Sequence, residues 1–151
     1  MSKLLEIIDD DFKNAMKQKL ESAKLTLSTL KSNVKYKMLD LRAKGKELTD
    51  GDVLNVIESM IKKGRESAEQ FLTGNRKDLS DKELEQINII SKYLPKQLNE
   101  KELKDVIEAE VKLQKFEKVS DMGAVMSFLK QNFSNRYDAK LASDIIKSIL
   151  K

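Results

Sequence analysis

The sequence predicts an all-α protein, with a bundle-like N-terminal part of four helices over residues 1–94 and a small three-helix C-terminal module over 95–151. Three observations carry this expectation. Apolar residues recur at three- and four-residue spacing in segment after segment. One proline and five glycines in 151 residues leave few places where a helix must stop. Alternation of β-branched and polar residues, the mark of a half-buried strand, is nowhere sustained.

Leu4, Leu5, Ile8, Phe12, Ala15 and Met16 share one face of a first helix that runs to about Gln18. A second helix, Glu21 to Ala43, buries Leu27, Leu30, Val34, Met38 and Leu41 and stops at Lys44-Gly45-Lys46. Thr49 with Asp52 forms a capping box for a third, whose apolar set is Val53, Ile57, Met60, Ile61, Ala68, Phe71 and Leu72. Gly64 lies on that face, where a missing side chain lets a neighbouring helix approach. Thr73-Gly74-Asn75 ends it, and Ser80 with Glu83 caps a fourth helix carrying Leu84, Ile87, Ile90 and Leu94. Pro95 disfavours helical geometry at Leu94 and sets the boundary between the two parts. Beyond it, Asn99 with Glu102 caps a fifth helix (Leu103, Val106, Ile107, Val111). Ser120 opens a sixth (Met122, Val125, Met126, Leu129, Phe133), and Asp138 a seventh (Leu141, Ile145, Ile149).

Composition narrows the chemistry. Without cysteine there is no disulfide, zinc-thiolate or thiol nucleophile, and without histidine no side chain titrates near neutrality unaided. Neither a phosphate-binding loop nor a dinucleotide glycine fingerprint occurs. Asp9-Asp10-Asp11 is the nearest approach to a metal site, but successive helical residues point about 100° apart and cannot converge on one ion. No catalytic residue, metal or cofactor is expected. The N-terminus meets acid after a few apolar residues, and no stretch approaches about 18 apolar residues. The expectation is therefore no membrane association and a place in the cytoplasm, or in whichever compartment makes bacterial-type proteins.

Charge is more informative than the net +4. Between Lys13 and Lys46 stand ten basic residues against two acidic ones. Lys24, Lys31, Lys35 and Arg42 fall at offsets that an α-helix brings within about 20° of one line, making a basic ridge. Such a ridge can neutralise successive phosphates, and equally can serve as a solubilising face. Phe12, Phe71 and Phe133 sit on core stripes, so no platform for stacking bases is expected and any RNA contact would read backbone and shape. In the C-terminal module Lys130, Arg136 and Lys140 would extend the basic surface. Gly123, just after Ser120, would leave backbone N–H groups accessible to an anion at a helix N-terminus.

The stretch Tyr93-Leu94-Pro95-Lys96-Gln97-Leu98-Asn99-Glu100-Lys101-Glu102-Leu103 resembles the signature junction of the GatB/YqeY family. Leu30-Lys31-Ser32, Arg65-Glu66-Ser67, Phe71, Asn75-Arg76-Lys77-Asp78-Leu79 and Asp121-Met122-Gly123-Ala124-Val125-Met126 are similar to further elements of that family, over almost the whole chain. Two departures stand out. Ser28 occupies the place of an expected arginine, and the family's glycine-bearing stretch near the end reads Asn135-Arg136-Tyr137-Asp138-Ala139.

The resemblance implies kinship with the C-terminal tail of the B subunit of glutamine-dependent tRNA amidotransferases, a tail that contacts tRNA while activation and ammonia delivery sit elsewhere. It thus implies a non-catalytic accessory protein of translation that binds tRNA. A second expectation is a protein-interaction module docking on an amidotransferase or aminoacyl-tRNA synthetase through an apolar patch between the two parts. A carbon–nitrogen ligase in its own right is the least supported.

Overall fold

The computed structural model describes residues 2–150. Among them are seven α-helices and no strands: α1 (Lys3–Lys17), α2 (Glu21–Ala43), α3 (Asp50–Thr73), α4 (Lys77–Ser91), α5 (Glu100–Gln114), α6 (Met122–Asn132) and α7 (Ala139–Ile149). A short 3₁₀ turn, Val119–Asp121, runs into α6. The chain divides into two compact units, Met1–Leu94 and Pro95–Lys151.

Helix starts follow local chemistry. Thr49 and Asp52 close a capping box, Asp52 N donating to Thr49 Oγ1 at 3.2 Å and Thr49 N donating to Asp52 Oδ2 at 2.9 Å. Asn99 and Glu102 do the same for α5, at 2.8 and 3.2 Å. Asp138 caps α7 by accepting from Lys140 N at 2.9 Å. Gly45, in the turn after α2, takes φ +71°, a conformation in which a side chain is strained.

Two starts differ from expectation. α4 opens at Lys77 with Arg76 as its N-cap, so Ser80 is its fourth residue rather than its cap. The early start is favoured by the Arg76 guanidinium, which donates to both oxygens of Asp78 at 3.2 and 3.1 Å across the first turn. α6 opens at Met122 with Asp121 as N-cap, and Ser120 lies within the preceding 3₁₀ turn.

In the first unit α3 packs along α4, α1 along α2, and α2 also meets α3 and α4. Ile8, Leu30, Val53 and Ile57 are fully buried at its centre. At Gly64 α3 runs close to α4: a Cβ there would stand 3.1 Å from Ile87 Cδ1. In the second unit α7 packs against both α5 and α6, around Leu103, Ile107, Val125, Leu129 and Ile146. Met16, Leu72 and Leu84, placed on apolar stripes by spacing, are about half exposed. The bundle covers only part of each stripe, and scattered exposed apolar residues are ordinary for a folded chain.

Candidate nucleic-acid interface

α2 is 23 residues long, and its basic edge follows from helical geometry alone. Lys24, Lys35 and Arg42 are exposed, and among the described residues none of the three enters an ion pair. Lys31 differs. Its ammonium lies 3.2 Å from Asp9 Oδ1 and 4.5 Å over the Phe12 ring, so α1 supplies both a counter-charge and an aromatic face. The ridge therefore presents three free cations and one largely committed to joining α1 and α2.

The acidic run on α1 is engaged in the same manner. Asp11 accepts a hydrogen bond from the Tyr93 hydroxyl and pairs with Lys92 Nζ at 3.4 Å. Burial first, then the Asp11 carboxylate, push the Tyr93 phenol well above its ordinary range. Asp9 and Asp11 thus hold helices together, while Asp10 faces solvent.

In the second unit Lys130 and Lys140 are exposed. Arg136 is engaged: its Nε donates to Lys96 O at 3.1 Å and its guanidinium lies 5.6 Å over the Phe133 ring. Alongside, Leu98 N donates to Arg136 O at 2.7 Å and Gln97 Nε2 donates to Asn135 O at 2.6 Å. The stretch after Pro95 is thereby stitched to the turn before α7. Asn135 adopts φ +63°, the left-handed conformation that glycine supplies most easily and asparagine next. Glycine is therefore dispensable at this position.

Around Gly123 the backbone is less open than the sequence suggests. The 3₁₀ turn uses the leading N–H groups, Asp121 N donating to Lys118 O at 2.9 Å and Met122 N donating to Val119 O. The Asp121 carboxylate itself accepts from Glu117 N and Lys118 N, both at 3.3 Å. That carboxylate is turned back onto the chain before the 3₁₀ turn and makes no cap hydrogen bond to α6. Gly123 has open space where a Cβ would stand, so close packing does not require its lack of a side chain.

Sequence reasoning missed an apolar feature beside the ridge. Between α1 and α2 lies an open groove of about 460 Å³ whose floor includes Leu5, Phe12, Val34 and Met38. Leu25, Tyr36 and Leu39 project from the outer flank of α2, at 62%, 72% and 50% exposure. Their shared angular position on the helix, about 60–120° from the ridge, was the available signal. Tyr36 is an exposed aromatic, which the expectation of no stacking platform did not consider.

Fold and surface together describe a small all-helical protein presenting a cationic helix edge. Residues 5–150 match the family model described as Yqey-like protein, and the chain belongs to that family, which is related to the amidotransferase B-subunit tail. It is 37% identical over 84 residues to Altered inheritance of mitochondria protein 41, mitochondrial, of Lachancea thermotolerans, covering 56% of this chain and 44% of that protein. Its namesake in Vanderwaltozyma polyspora is 29% identical over 93 residues, covering 62% and 49%. An uncharacterized Schizosaccharomyces pombe protein is 32% identical over 92 residues, covering 61% and 72%. The match spans about half the length of the mitochondrial relatives. Their names correct the cytoplasmic placement expected above, since they point to mitochondria. Composition and charge carry no information that separates these two compartments. Among the described residues no helix is long and apolar enough to cross a membrane.

Proposed function

We propose that this protein is an RNA-handling accessory of translation that contacts the phosphate backbone of tRNA through the exposed edge of α2. The observation that carries this reading is the row of three uncompensated cations, Lys24, Lys35 and Arg42, over 18 residues of one helix, about 27 Å. Kinship with the amidotransferase tail supports it, and Lys130 and Lys140 add a second set of exposed cations. Lys31 and Arg136 act mainly as structural ties. For the yeast relatives the setting is the mitochondrion.

Binding to total tRNA across a salt series tests the proposal. Three phosphate contacts predict a slope near −2.7 in log K against log salt for a duplex surface, a loss of about 40-fold between roughly 50 and 200 mM. The Lys24→Glu/Lys35→Glu/Arg42→Glu variant should abolish binding. Lys31 is left intact, because a glutamate there would face Asp9 and disturb the α1–α2 contact. Absence of binding at low salt, or binding indifferent to the triple reversal, would reject the reading.

A second reading, docking on an amidotransferase or aminoacyl-tRNA synthetase, is favoured by a separate observation, the apolar groove beside the ridge.

A further inference from the structure

The α1–α2 groove combines features that a phosphate backbone does not use. Its floor is apolar, and on α2 the short side chains of Ser28 and Ser32, one helical turn apart, leave it open. Its volume, about 460 Å³, is in the range of sites that accept several side chains. From Ser28 to Met38 it follows α2 for about 15 Å, close to three turns of a docked helix. Exposed Leu25 and Leu39 extend the apolar flank beyond it.

The lining of the groove carries Lys31 and Lys35 against Asp9, an excess of one cation. The charge of Asp9 is answered by Lys31, leaving Lys35 within the groove and Lys24 and Arg42 in line beyond its ends. A second copy of this face would set cation against cation. A bilayer surface would need an interfacial anchor, and the chain has no tryptophan to supply one. RNA would answer the lysines and leave the apolar floor without a partner. An acidic amphipathic helix satisfies both, with apolar anchors at i, i+3 or i+4 and i+7 in the groove and carboxylates along the lysine line.

We propose that this groove docks an acidic amphipathic helix of about three turns from a partner protein. The proposal goes beyond RNA contact and shares Lys35 with it, so bound helix and bound RNA would compete.

The test titrates the ¹⁵N-labelled full chain with a synthetic leucine–glutamate amphipathic peptide, up to about 1 mM. Its controls are a scrambled peptide and a leucine–lysine peptide of the same pattern. Amide shifts should concentrate at Phe12, Ser28, Ser32 and Met38, and neither control should reproduce them. Ser32→Trp, at an exposed position, fills the groove while keeping every cation, and should weaken the peptide by about tenfold or more without weakening tRNA. Lys35→Glu should weaken both ligands. The ¹⁵N spectrum of each variant confirms folding. The proposal is overturned by no shifts, by equal shifts with the scrambled peptide, or by Ser32→Trp leaving the peptide unaffected. Anionic vesicles or tRNA shifting the groove-floor residues where the peptide does not would overturn it too.

Discussion

Ser80 Oγ is buried in α4 and has no hydrogen-bond partner among the described residues. A buried hydroxyl in that state costs about 1–3 kcal/mol, and alanine is also the better helix former. Ser80→Ala should therefore stabilise the first unit by about 1 kcal/mol in urea denaturation. A capping serine behaves oppositely, its loss costing about 1 kcal/mol, so the sign of the change alone decides between the two roles. Lys31 makes a related point at the surface. Its formal charge equals that of Lys35, yet the neighbouring Asp9 and Phe12 reduce what it offers to a ligand. Charge counted along a sequence overstates charge available in space wherever a partner helix supplies the counter-ion.

At the scale of elements, α1 is tied to α3 through Asp50, which accepts from the Ser2 hydroxyl and, at 3.2 Å, from Leu4 N. Those hydrogen bonds, Ser2 first, hold the Asp50 carboxyl below its ordinary 3.8, and the Thr49 backbone and hydroxyl do the same for Asp52. Both pKa values are lower folded than unfolded. Their stabilisation is thus complete above pH 3.8 and is lost as pH falls through the folded values. Acid below about pH 4 should loosen the N-terminal ends of α1 and α3 before their middles, seen as faster amide exchange there. Asp50→Asn should remove most of that pH dependence at α1, and an unchanged acid response in this variant would count against the tie. Capping boxes at Thr49 and Asn99 were legible in the sequence because both partners lie three residues apart. The start of α4 was not, since an Arg76–Asp78 pair is no standard cap. The basic line on α2 was legible from helical period alone. The commitment of Lys31 was not, because Asp9 and Phe12 are remote in sequence, and the groove arises only where two helices meet.

For the molecule as a whole, the two hydrophobic clusters share no residue: Ile57 lies in one, Ile107 in the other, both fully buried. Because no residue is common to both clusters, a packing defect in one is expected to remain local. Ile57→Ala and Ile107→Ala each remove enough buried volume to cost about 2–5 kcal/mol. Hydrogen exchange read helix by helix distinguishes the outcomes. Ile57→Ala should accelerate α1 to α4 and spare α5 to α7, with Ile107→Ala doing the reverse. The second unit, near sixty residues, buries a smaller share of its surface than a larger domain, so α5 to α7 should exchange faster even in the unsubstituted protein. If either substitution accelerated all seven helices equally, the units would be one cooperative body, and a ligand on α2 would stabilise the C-terminal module as strongly as its own bundle.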